Sequence, residues 1–90
     1  MLIYTDDARC YDVAFEQMLD DKIYCTYKIV KDDSYQSSVA DFYKLRNIAT
    51  RCELNSVHYD IVSIAYESFV DFKSYQMIEV VITIKPEHQN

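Results

Sequence analysis

From Gln76 to Ile84 the chain reads Gln-Met-Ile-Glu-Val-Val-Ile-Thr-Ile, with a branched aliphatic at every second position. In an extended chain Ile78, Val80, Ile82 and Ile84 all point to one side, and that side must be buried. Met77, Glu79, Val81 and Thr83 occupy the other side, a mixture that tolerates water or partial cover. Pro86 ends the run because it has no amide hydrogen to offer a ladder. The pattern predicts a central strand over 75–85. Lys22 to Val30 alternates in the same way, Ile23, Cys25, Tyr27 and Ile29 against Tyr24, Thr26, Lys28 and Val30, and predicts a second strand over 22–30. The short apolar run 1–4 fits an edge strand.

Three other stretches follow a helical period. Thr5 ahead of Asp6 and Asp7 is a helix-start signal, with acids where the macrodipole favours them. It opens a predicted helix over 6–20 in which Ala8, Tyr11, Ala14, Phe15, Met18 and Leu19 share an arc. Asp12, Glu16 and Asp20 form an i, i+4, i+8 line on another arc. A second helix is predicted over 35–52, capped by Ser34 or by Ser38 with Asp41, burying Tyr35, Val39, Phe42, Leu45, Ile48, Ala49 and Cys52. In 56–72 the composition favours strand, but alternation fails at Ile61-Val62, at Ile64-Ala65-Tyr66 and at Phe69-Val70. The polar positions Asp60, Ser63, Glu67 and Asp71 recur at helical intervals, so a helix is predicted there with Asn55 or Ser56 as cap. The alternative is that 56–68 is a strand in a hairpin with 75–85. The expected fold is α+β, a small antiparallel or mixed sheet covered by two or three helices. It forms a single domain over 1–85 followed by a loose tail over 86–90.

With 90 residues, half of them apolar and 27% charged, the chain has the profile of one globular domain. No window approaches the roughly 18 apolar residues of a membrane span, and no basic leader precedes an apolar segment. Cys10, Cys25 and Cys52 are odd in number and far apart, which argues for reduced thiols and a cytoplasmic setting, the host cytoplasm if the chain is viral. Glycine is absent altogether. Phosphate-cradling loops and the nucleophile elbow need glycine for close approach and positive φ, so those routes to nucleotide or acyl chemistry are closed and no cofactor motif is present.

Charge then narrows the function. Residues 1–21 carry six acids (Asp6, Asp7, Asp12, Glu16, Asp20, Asp21) against Arg9 alone, so that −5 of the net −6 lies there. An isoelectric point near 4.6 disfavours direct nucleic-acid binding, and Lys44, Arg46 and Arg51 are the sole local basic cluster. On a helix, carboxylates at Asp12, Glu16 and Asp20 would stand about 6 Å apart and resemble a row of phosphates. Nine tyrosines exceed what a core can satisfy, which places Tyr24, with Met77 and Val81, on an exposed outer sheet face of the kind found in interfaces. The reading is a small acidic protein that binds another protein and is not an enzyme, with Asp12, Glu16, Asp20, Tyr24 and Met77 as partner-binding residues. An inhibitor or regulator of a nucleic-acid-acting enzyme, of the virus or mobile-element accessory type and acting as a nucleic-acid mimic, fits that character. Two alternatives stand beside it: a small enzyme or ligand-binding protein with a pocket near His58 and Asp60 drawing on Cys52, and a structural homodimer. Every Cys and His stands alone in sequence, so no metal site is expected.

Overall fold

The computed structural model describes residues 1–87, and they form a curled, seven-stranded antiparallel sheet with one helix. In chain order the elements are β1 (Leu2–Thr5), β2 (Cys10–Asp12), β3 (Ala14–Leu19), β4 (Lys22–Val30), α1 (Tyr35–Ile48), β5 (Ala49–Leu54), β6 (Val57–Asp71) and β7 (Tyr75–Pro86). The strand order is β2-β1-β5-β6-β7-β4-β3. Its two ends belong to one continuous stretch, since β2 pairs with β1, β3 pairs with β4, and only Val13 separates them. Val13 is buried, and its amide donates to the Met1 carbonyl at 2.9 Å. The chain thus passes from one edge of the sheet to the other at a single buried bend, which draws the sheet into a half-barrel.

The alternating aliphatics of β7 sit at the middle of this curl, paired with β4 on one side and β6 on the other. Ile78, Val80, Ile82 and Ile84 face the concave side together with Ile23, Cys25 and Ile29 of β4, Ile64 of β6, Cys52 of β5 and Ile3 of β1, and all are buried. Each such side chain stabilises the fold by roughly 1.5–3 kcal/mol through removal from water. α1 closes the concave side with Phe42 and Leu45. The Phe42 ring stacks between Tyr27 and Tyr66, with centroids 4.5 Å and 4.8 Å away. Tyr66 Oη donates to the Phe42 carbonyl at 2.5 Å, giving the half-buried phenol its partner.

The predicted arrangement of a small sheet under two or three helices is overturned. The segment 6–20 is two strands and a turn. Its helix-start signal closes a tight loop instead: the Thr5 hydroxyl donates to Asp7, lies 3.0 Å from the Arg9 carbonyl, and accepts from the Arg9 amide at 2.9 Å. A side chain that caps a helix caps a turn by the same bonds. The helix predicted over 35–52 stops at Ile48, where Ala49 turns extended and begins β5. Cys52 keeps its buried place, now as a strand residue paired with Ile3 and Tyr59. The segment 56–72 is strand β6 in the hairpin alternative, not a helix.

Bulges explain the misleading period of β6. One extra residue, Val62, interrupts the pairing between Ile61 and Ser63, and another, Glu67, interrupts it between Tyr66 and Ser68. Each insertion flips the alternation, so the concave positions become Ile61, Ile64, Tyr66, Phe69 and Asp71. Each step of three breaks the strict alternation by which a strand is recognised, while the backbone remains extended. Turns dispense with glycine by placing other residues at positive φ: Ala8 at 65°, Asp20 at 54°, and Asn55 and Ser56 at 51° and 66°. The last two form the two-residue connection of the β5–β6 hairpin, which requires left-handed residues at both positions. The long β6–β7 hairpin gives the molecule its extents of 46 × 27 × 20 Å. β7 runs through Pro86, so the predicted tail falls, from 88 onward, outside the described residues.

Candidate protein-binding site

The convex side of the sheet carries no helix, and its centre is acidic. Tyr24 of β4 pairs with Val81 of β7, which pairs with Ala65 of β6, so these three cross the convex side in one row. The next row is Thr26, Glu79 and Ser68. Glu16 and Glu67 are the extra residues of the bulges in β3 and β6. Together Glu16, Glu67, Glu79, Tyr24 and Val81 line a shallow depression of about 350 Å³. All three glutamates are exposed, and among the described residues none is in an ion pair. Val81 is nearly buried at 9% exposure beneath them, an apolar floor inside a carboxylate rim.

The sequence-predicted residues divide over this surface. Tyr24 and Glu16 meet in the depression. Met77 shares the convex side further along β7, where it pairs with Lys28 and Val70, next to Tyr75, Phe72 and Val30. Phe72 and Tyr75 stack at 4.6 Å, and the Lys28 ammonium lies 4.5 Å from the Tyr75 ring centroid. Asp12 is an exposed residue of β2 and lies 3.6 Å from the amino terminus, while Asp20 occupies the β3–β4 turn. The helical ladder of Asp12, Glu16 and Asp20 is overturned with its helix, because four residues of extended chain span about 13 Å rather than 6 Å. Glu67 and Glu79 were the residues that sequence reasoning did not single out. Glu79 was legible as the charged member of the outer side of β7; Glu67 was hidden because only a bulge brings it there.

A second polar group lies on the convex side across β1, β5 and β6. His58 Nε2 is 3.2 Å from Glu53 Oε1, and Tyr4 Oη donates to Glu53 Oε2 at 3.3 Å. Burial, followed by the neighbouring Glu53 charge, raises the Tyr4 phenol. The Arg51 guanidinium stands 5.0 Å from the Tyr4 ring centroid, and Asp60 pairs with Arg51 in the ladder. In the alternative drawn from sequence, Cys52 does not join His58 and Asp60. Cys52 points to the concave side and His58 to the convex side, so the sheet separates thiol from imidazole. Burial pushes the Cys52 thiol up to about 11 and the Cys25 thiol up to about 12, which leaves both protonated near neutral pH. The basic cluster also disperses, with Arg46 on α1 beside the Tyr66 ring and Arg51 on β5 beside Tyr4.

Among the described residues no three His, Cys, Asp or Glu side chains are placed to hold a metal ion, and no helix is long and apolar enough to cross a membrane. Compared with protein-family models, with curated proteins and with solved structures, the chain matches none.

Proposed function

We propose that this chain is a small acidic protein-binding protein, an inhibitor or regulator whose convex sheet face receives a basic surface of its partner in the cytoplasm. The observation that carries the reading is the rim of Glu16, Glu67 and Glu79 around Tyr24, three carboxylates from three strands that form no ion pair among the described residues. Leaving them unpaired confers nothing on the fold, whereas a partner's lysines or arginines would gain charge-assisted bonds over a tyrosine and an apolar floor, the composition of an interface centre. Glu67 and Glu79 lie on neighbouring strands, which run about 4.8 Å apart, and Glu16, with β4 between, stands roughly 10 Å from Glu79 by the same spacing. That is the range of phosphate separations along a nucleic-acid strand, and a nucleic-acid-acting enzyme is the partner class proposed.

The test is capture of basic partners from the cognate lysate at about 0.05 M and 0.5 M salt, followed by repetition with the purified partner. Glu67→Lys with Glu79→Lys is expected to abolish the low-salt complex. Asp6→Lys with Asp33→Lys, an equal change of charge away from the depression, is expected to preserve it. Equal loss in both double variants, or a complex indifferent to salt, would overturn the reading.

A further inference from the structure

We infer that the free edge of β3 is a docking strand for an extended segment of the partner in which apolar residues alternate with lysine or arginine. The inference rests on the proposed binding of a basic partner and specifies how part of that partner is held. β3 ends the strand order and pairs with β4 alone. All six of its residues are exposed, and among the described residues no backbone group from Ala14 to Leu19 bonds to any segment but β4. An antiparallel edge directs the N–H and C=O of every second residue outward, a row ready to accept another strand.

The side chains along this edge state what that strand must carry. Phe15 and Met18 pair with Cys25 and Ile23, so they belong to the concave side, yet they remain 41% and 37% exposed. An added strand about 4.8 Å away would lay its own apolar side chains over these two and extend the core by one row. On the opposite side, Glu16 projects from the bulge into the depression with Tyr24, Glu67 and Glu79. Every second residue of the incoming strand would face those carboxylates, and a cation at such positions satisfies them. Asp12 and Asp20 mark the two ends of the edge, the first 80% exposed and the second outside any ion pair among the described residues.

The same charges exclude the commonest competitor for an open edge, a second copy of the chain. Pairing β3 with another β3 would bring Asp12, Glu16 and Asp20 of two molecules together, each of net charge −6. Acidity makes the edge repel a second copy and favour a cationic strand.

The experiment uses an eight-residue peptide of alternating lysine and valine, the same peptide N-methylated at every second amide along one edge, and octalysine, each titrated into the intact protein at about 0.05 M salt. The expected result is that the alternating peptide binds and slows amide exchange at alternate residues of 14–19. N-methylation, which keeps charge and side chains but removes strand bonding, should weaken it at least tenfold, as should Glu16→Lys. Equal binding by the N-methylated peptide or by octalysine, without protection of β3, would overturn the docking strand while leaving the acidic face as a binding surface. Absence of binding by all three peptides, with the lysate complex intact, likewise overturns only the docking strand. Protection of 14–19 that grows with protein concentration and no peptide would assign the edge to a second copy instead.

Discussion

Phe42→Ala is the substitution through which the attachment of α1 can be measured. Phe42 is 1% exposed and is one of two fully buried residues of the helix, the other being Leu45. Truncating a buried phenylalanine costs about 3–5 kcal/mol in lost transfer energy and residual cavity. The site can relax little, because the ring is held between Tyr27 and Tyr66 at 4.5 Å and 4.8 Å and both rings are anchored in strands. We therefore expect a loss near the middle of that range, about 4 kcal/mol, against a total stability of about 5–13 kcal/mol for a chain of this size. With a urea m-value of about 1.3 kcal/mol/M the midpoint should fall by about 3 M. Helical ellipticity should be lost in the same transition, since no other buried aromatic fixes α1. Tyr66→Phe keeps the stack and removes only the bond from Oη to the Phe42 carbonyl, at a cost of about 1 kcal/mol. A Phe42→Ala midpoint within about 0.7 M of the parent would refute the reasoning, because it would mean that the stack is not what holds the helix to the sheet.

Two further outcomes follow from strain and from burial. Ala8 holds φ at 65°, a conformation that costs an L-residue about 1 kcal/mol and glycine almost nothing, so Ala8→Gly should raise the urea midpoint despite the added freedom of the unfolded chain; an unchanged or lower midpoint would contradict this. At alkaline pH, Cys25, Cys52 and Tyr66 act in the same direction, since burial raises them to about 12, 11 and 12 from ordinary values of 9, 9 and 10. Their contribution is fully present below pH 9 and is lost as pH rises toward 12, because the unfolded chain releases these protons first. Urea midpoints between pH 8 and 11.5 should fall, and fall less steeply above pH 10 in Tyr66→Phe.

The sequence by itself determined the strands whose alternation is unbroken. The period-two patterns of Ile78 to Ile84 and of Ile23 to Ile29 admit one burial side, and the structure buries that side. It also determined that Tyr24 and Met77 lie on the opposite side of the sheet, because side-chain direction in a strand follows from parity alone. Only the tertiary structure decided the remainder. Whether Thr5 and Asp7 cap a helix or a turn depends on the Arg9 backbone returning to meet them, and that return depends on β1 pairing with β2. Parity in β6 is reset twice by bulges that exist only because β7 lies alongside it, so Glu67 reaches the acidic depression through a neighbour rather than through its own local pattern. The carboxylates of residues 12–20 were legible as charge but not as geometry. Local sequence sets which groups are present, while the partners available across strands set how far apart they stand, and it is that spacing a binding partner would meet.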